Sequence, residues 1–267
     1  MLRNPVVAGQ FYPADCRELE RLVRAYLKPC SPGLEALALV VPHAGYVYSG
    51  AIAGETFARA KIPERVVLLG PNHTGRGRPL AVFPSGAWRT PLADTPVDAA
   101  LSQLIVSRCA GAEADESAHR FEHSLEVQLP FIQILAPECQ IVPICVGGGS
   151  AAELVHFGQD LAAVISGYPH QTLLVVSSDM THYEPGPDAE KKDRKAIDRI
   201  LSLDPAGLYQ TVRGGSISMC GVLPTTVMLA AARELGATRG TLVHYGSSGD
   251  ITRDYSQVVG YAGVIIE

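Results

Sequence analysis

The chain has 267 residues, 47% hydrophobic and 18% charged, with a formal net charge of −5. That length buries a real core in one α/β domain, and the composition excludes a disordered chain. The acidic balance argues against a general nucleic-acid binder, and no apolar run is long enough to span a bilayer.

In chain order, residues 5–14 are rich in Pro, Gly and aromatics and read as an ordered loop. Asp15 is placed to cap a helix from Cys16 to about Lys28, with Leu19, Leu22, Val23 and Tyr26 at helical spacing, and Cys30-Ser31-Pro32-Gly33 ends it. Residues 36–41 form a fully apolar strand of the kind buried at the centre of a sheet. A turn over Gly45–Gly50 and a helix from Ala51 to about Ala60 follow, then a strand over 65–70. Pro79 to Pro91 reads as a short β excursion around the only Trp, Trp88, and 96–108 as a helix. Ser124 to Leu135 is helical by periodicity, with Pro130 inside it as a kink. Strands over 140–146 and 172–178 flank a helix over 151–166. Helices over 188–203, from Asp204-Pro205 to about Val212, and over 224–235 precede closing strands at 240–246 and 256–266. Strands alternating with helices predict a single-domain α/β sandwich over residues 1–267, with a central mixed, mostly parallel sheet flanked by helices.

Three apolar runs end in chemistry. Val41-Pro42-His43, Leu69-Gly70-Pro71-Asn72-His73 and Val176-Ser177-Ser178-Asp179-Met180-Thr181-His182 each place a titratable side chain where a strand stops. Ligands of open α/β sheets sit outside the carboxyl ends of parallel strands, so these ends are expected to meet. His43 and His73 each have Pro within two residues before and Gly within two after, a turn that aims an imidazole off the sheet edge. Neutral imidazole is the commonest metal ligand, and two loop histidines bonded to backbone is the plainer alternative. Asp179 either orients His182 or caps a turn, and His182 has the chemistry of a general acid/base. Glu122 and His123 open a helix or stand behind the site, touching His73 or substrate. Tyr46 and Tyr183 either line the pocket or pack beside it, as do Tyr48 and Tyr245. A lone Cys is most often a small buried hydrophobe; beside two imidazoles Cys220 becomes a soft ligand suited to Zn, Fe or Cu. No C-x-x-C pair occurs among six cysteines, so free thiols in a reducing cytoplasm are expected. P-loop, Rossmann and nucleophile-elbow motifs are missing from the sequence.

Several segments together resemble one family: Asn4 to Pro13, Val41 to Gly50, Leu69 to Gly75, Glu122 to Glu126, Ser177 to Tyr183 and Met219-Cys220-Gly221, in that order. This pattern resembles the Memo family, whose prokaryotic members are called AmmeMemoRadiSam system protein B. The resemblance implies the fold of class III extradiol dioxygenases, which hold non-haem Fe(II) with two His and one Glu. Carried onto this chain it implies a metal on His43 and His73, with Cys220 where the dioxygenases have Glu. His182 resembles their acid/base, with Asp179 beside it. The animal member is associated with phosphotyrosine-peptide binding and with copper or iron redox chemistry, the prokaryotic ones with radical-SAM and AMMECR-type proteins. The expectation is therefore a metal-dependent redox or dioxygenase-like protein using Fe(II) or Cu on an unknown small-molecule or peptide substrate. The alternatives are a non-catalytic module binding a peptide or anion in the same pocket, and a zinc-dependent hydrolase.

Overall fold

The computed structural model describes residues 1–27 and 33–267. The expected end of the first helix at Lys28 and the thiol of Cys30 lie outside the described residues. Strand β1 (Leu2–Arg3) precedes helix α1 (Cys16–Tyr26), where the Asp15 side chain accepts from the Glu18 amide as expected of a cap. β2 (Ala38–Val41), α2 (Tyr46–Ala58) and β3 (Arg65–Pro71) follow. The β excursion resolves into β4 (Leu80–Val82), β5 (Ala87–Arg89) and β6 (Asp94–Pro96). Next come α3 (Ala99–Arg108), β7 (Glu113–Ala114), a 3-10 turn at Glu126–Gln128, α4 (Leu129–Leu135) and β8 (Gln140–Val146). The C-terminal half runs α5 (Ala151–Ser166), β9 (Thr172–Ser177), β10 (His182–Glu184), α6 (Gly186–Leu201), α7 (Pro205–Gly214) and α8 (Val222–Glu234). It closes with β11 (Gly240–Ser247), α9 (Gly249–Thr252) and β12 (Val258–Ile266).

The main sheet has nine strands in the order β10-β12-β2-β9-β3-β8-β4-β7, with β11 on the outer side of β12. Its centre, β2-β9-β3-β8, is parallel, and antiparallel pairs flank it at β12 and β4. The three runs expected to end together are therefore neighbours in the sheet. Alternation divides the core into two layers. Val40, Val67, Leu69, Leu174 and Val176 face α3 and α5 to α8, while Leu39, Val41, Val66, Leu68 and Val175 face α1, α2 and α4.

Two local expectations are corrected. The segment Gly45–Gly50 is no turn: α2 begins at Tyr46 with Gly45 as its cap residue. A Cβ at Gly50 or Gly54 would collide with Tyr26, so these glycines let α1 and α2 approach closely within helical backbone. Pro130 does not kink a helix interior; it sits in the first turn of α4, where a missing N–H costs nothing.

Candidate metal centre

His43 lies two residues past β2, His73 two past β3 and Asp179 two past β9. His43 and His73 meet edge to face, with ring centroids 5.2 Å apart, and His123 stacks on His73 at 4.8 Å. One nitrogen from each of these three rings lies within 4.8 Å of the others, so the three can hold a metal ion. Donors held at about 2.0–2.1 Å in a tetrahedral site stand about 3.4 Å apart, so binding draws the three rings inward.

Glu122 organises the outer two rings. It is fully buried. Its Oε1 accepts from His73 Nδ1 at 2.9 Å and from the amides of His123 and Ser124, and its Oε2 accepts from the His73 amide at 2.6 Å. Burial alone would push this carboxyl up; the hydrogen bonds from His73 and Ser124 outweigh it and hold the group at about 2. An ionised carboxylate can only accept, so His73 carries a proton on Nδ1, which leaves Nε2 as the nitrogen open to the cluster. This is the carboxylate–histidine arrangement found behind metal-ligating imidazoles. Burial, reinforced by His73 and His123, holds the His43 imidazole well below its usual range, so it is neutral and able to ligate. Burial likewise lowers His123.

Cys220 stands at the edge of this set. Its Sγ is 3.3 Å from His43 Nε2 and accepts from the Asp179 amide at 3.2 Å. It lies outside the group of His43, His73 and His123 whose donors share the 4.8 Å distance. Burial and the Asp179 carboxylate push the thiol above its usual range, so without a cation it stays protonated. A Cβ at Gly221 would collide with Ser178, which explains glycine after the cysteine: the segment before α8 is pressed onto the end of β9.

Asp179 does not orient His182. Its Oδ1 accepts from the His43 amide at 2.8 Å, and its Oδ2 lies 4.0 Å from His43 Nε2. Burial raises its pKa to about 6, against the lowering by that hydrogen bond. His182 is oriented by Ser218, whose Oγ accepts from its amide at 2.7 Å and whose carbonyl accepts from its Nδ1 at 3.0 Å. His182 Nδ1 therefore carries a proton, and Nε2 has no hydrogen-bond partner among the described residues. Tyr183, next along, is 72% exposed and sits at φ 59° where β10 bulges against β12. Tyr46 is not a pocket residue; it is buried against Phe131 and donates to the Val127 carbonyl at 2.7 Å. Tyr245 donates to Asp193, and Tyr48 is exposed on α2.

Sequence reasoning missed Glu126 and its partners. This buried carboxylate accepts from Arg3 at 2.5 Å, from Tyr12 Oη at 2.6 Å and from the amides of Val6 and Val7. Arg3 also donates to the carbonyls of His119 and Glu122. The Pro- and Gly-rich N-terminal stretch is therefore the clamp on the segment that carries Glu122 and His123. An isolated Glu at a helix start gave no signal of this, and neither did Ser218.

No helix among the described residues is long and apolar enough to cross a membrane. The family model of the Memo-like proteins matches residues 3–265. A MEMO1 family protein of Methanopyrus kandleri is 42% identical, covering 99% of each chain. One of Aquifex aeolicus is 45% identical, covering 99% of this chain and 98% of its own. An uncharacterized Escherichia coli K12 protein of known crystal structure shares the fold, with a TM-score of 0.60 at 17% identity over 85% of this chain and 98% of its own. With a family model over nearly the whole chain and relatives above 40% identity, the chain belongs to the Memo family.

Proposed function

We propose that this protein is a metal-dependent redox protein, dioxygenase-like in the layout of its site, acting on a small-molecule or peptide substrate. One observation carries the reading: three imidazole nitrogens converge within 4.8 Å, backed by a buried ionised carboxylate, at the ends of parallel strands. Iron or copper would be held by His43 and His73, with His123 as third imidazole and Cys220 as the thiolate recruited beside His43. When bound, such a metal supplies one-electron chemistry; zinc on the same donors would instead polarise a water, the hydrolytic alternative. The residues around it have separate tasks. Glu122 holds His73 in its ligating form, Asp179 holds the His43 backbone, and His182 takes or gives a proton at Nε2. A reducing cytoplasm suits the free thiols, and radical-SAM and AMMECR-type proteins are the partners to test by family association. Metal analysis after anaerobic purification, followed by loading with iron, copper and zinc, tests the reading. Failure to load any of them stoichiometrically, or unchanged loading in His43→Ala, sinks it.

A second reading, an anion-binding module, has its own observation. Arg76 and Arg120 both lie over the exposed Phe121 ring, 4.8 Å and 5.5 Å from its centroid. Neither appears in an ion pair among the described residues, and each stands three positions from a cluster imidazole, Arg76 after His73 and Arg120 before His123. Two guanidiniums on one exposed ring, without an ion-pair partner among the described residues, suit a carboxylate or phosphate group. Saturable anion binding that survives metal removal and Cys220→Ser would favour this module over the redox protein.

A further inference from the structure

We propose that Gln128 and Ser177 are positioning residues that fix His43 as an Nε2 donor before any metal arrives, so that the segment Glu122–Gln128 sets all three rings of the centre. The proposal rests on the metal reading above. It follows from a proton count. The Ser177 hydroxyl has one proton and two lone pairs. Three groups surround its Oγ: the Ser124 carbonyl at 2.6 Å, Gln128 Nε2 at 2.9 Å and His43 Nδ1 at 2.8 Å. A carbonyl only accepts, so it takes the serine's proton. The Gln128 nitrogen only donates, and its orientation is not free, because it also donates to the Pro42 carbonyl at 3.0 Å. A flipped amide would set oxygen against oxygen. One lone pair of Ser177 remains, and only a protonated Nδ1 can use it.

His43 therefore carries its proton on Nδ1, the less populated tautomer of a free histidine side chain, and its Nε2 lone pair faces the cluster. Its Nε2 stands 3.3 Å from Cys220 Sγ, on the side of the other two rings. The other amide atom supports the same conclusion. Among the described residues Gln128 Oε1 is buried with no partner, a costly arrangement, so the work of this side chain lies in its two donors. The segment thus acts on every ring. Glu122 sets the tautomer of His73, His123 is itself a donor, and Ser124 and Gln128 set the tautomer of His43 through Ser177.

Nitrogen-15 NMR of metal-free protein labelled at histidine tests this directly. The expected result is a protonated Nδ1 and an unprotonated Nε2 at His43; the reverse pattern in the wild type overturns the proposal whether or not the protein ever binds a metal. Zn2+ serves as the probe for the variants. Ser177→Ala is expected to mix or reverse the His43 signature and to weaken Zn2+ binding by about 10- to 100-fold, as loss of an outer partner does. Gln128→Met should do the same to a smaller degree, and Ser177→Thr should restore the wild-type signature. Unchanged signature and affinity in Ser177→Ala overturn the proposal. If that variant does not fold, the wild-type spectrum and Gln128→Met decide it.

Discussion

Two histidine–cysteine pairs stand in this molecule at almost the same distance. His43 Nε2 lies 3.3 Å from Cys220 Sγ, and His119 Nδ1 lies 3.4 Å from Cys145 Sγ. Both His rings are buried. Their surroundings separate them. His119 donates from Nε2 to the Ala81 carbonyl, is walled by Phe83 and Trp88, and among the described residues packs on no further imidazole. Its Nδ1 lone pair receives the Cys145 thiol proton, so the pair is closed on itself. His43 instead meets two further rings, whose side chains are 33% and 23% exposed. A histidine next to a cysteine is thus not a site; convergence of several lone pairs with a route to solvent is.

Four experiments break or sharpen that contrast, starting with the largest effect. His43→Ala should abolish stoichiometric metal loading, while His119→Asn should leave loading intact and cost stability alone; equal loading in both would erase the distinction. Next, Glu122 stabilises the fold through its depressed pKa. The folded value, about 2, lies below the ordinary 4.5, so the contribution is complete above 4.5 and is lost as pH falls toward 2. For metal-free protein this amounts to about 3 kcal/mol. Glu122→Gln should therefore flatten the acid limb of a urea-unfolding series; an unaltered limb would refute the role. Third, alkylation should reach exposed Cys16 first and Cys220 later, and Cys145 only on unfolding, because burial raises both latter thiols and Cys145 is fully enclosed. Bound zinc should slow Cys220 further. Smallest, the double change Arg76→Gln and Arg120→Gln should leave metal affinity within about twofold and weaken inorganic phosphate binding, read by titration at low and high salt. Unchanged phosphate binding would remove the anion reading.

The sandwich was legible because its strands are buried on both faces and read as continuous aliphatic runs, as at Val66–Leu69. His43 and His73 were legible because their Pro and Gly neighbours mark where those runs stop. His123 was read as standing behind the site; its ring meets His43 and His73 from a loop with no strand to announce it. Asp179 was given to His182 on spacing alone; tertiary packing gave its carboxylate to the His43 backbone and left His182 to Ser218. Gly50 and Gly54 misled because small residues that let two helices touch look like those that make a turn. The anchors of residues 3–12 were invisible for a different reason: their partner Glu126 is more than a hundred positions away.

That separation bears on synthesis. Arg3 and Glu126 are 123 residues apart. A ribosome adding about 5–20 residues per second makes the second roughly 6 to 25 s after the first. Cys220 comes later still, and Val264 to Ile266 must arrive before β12 can close on β2. The nascent chain therefore carries His43 and His73 for about 50 residues of synthesis before Glu122 and Glu126 are made. The clamp of residues 3–12 on the segment that carries Glu122 and His123 is thus completed only when nearly half of the chain has been made.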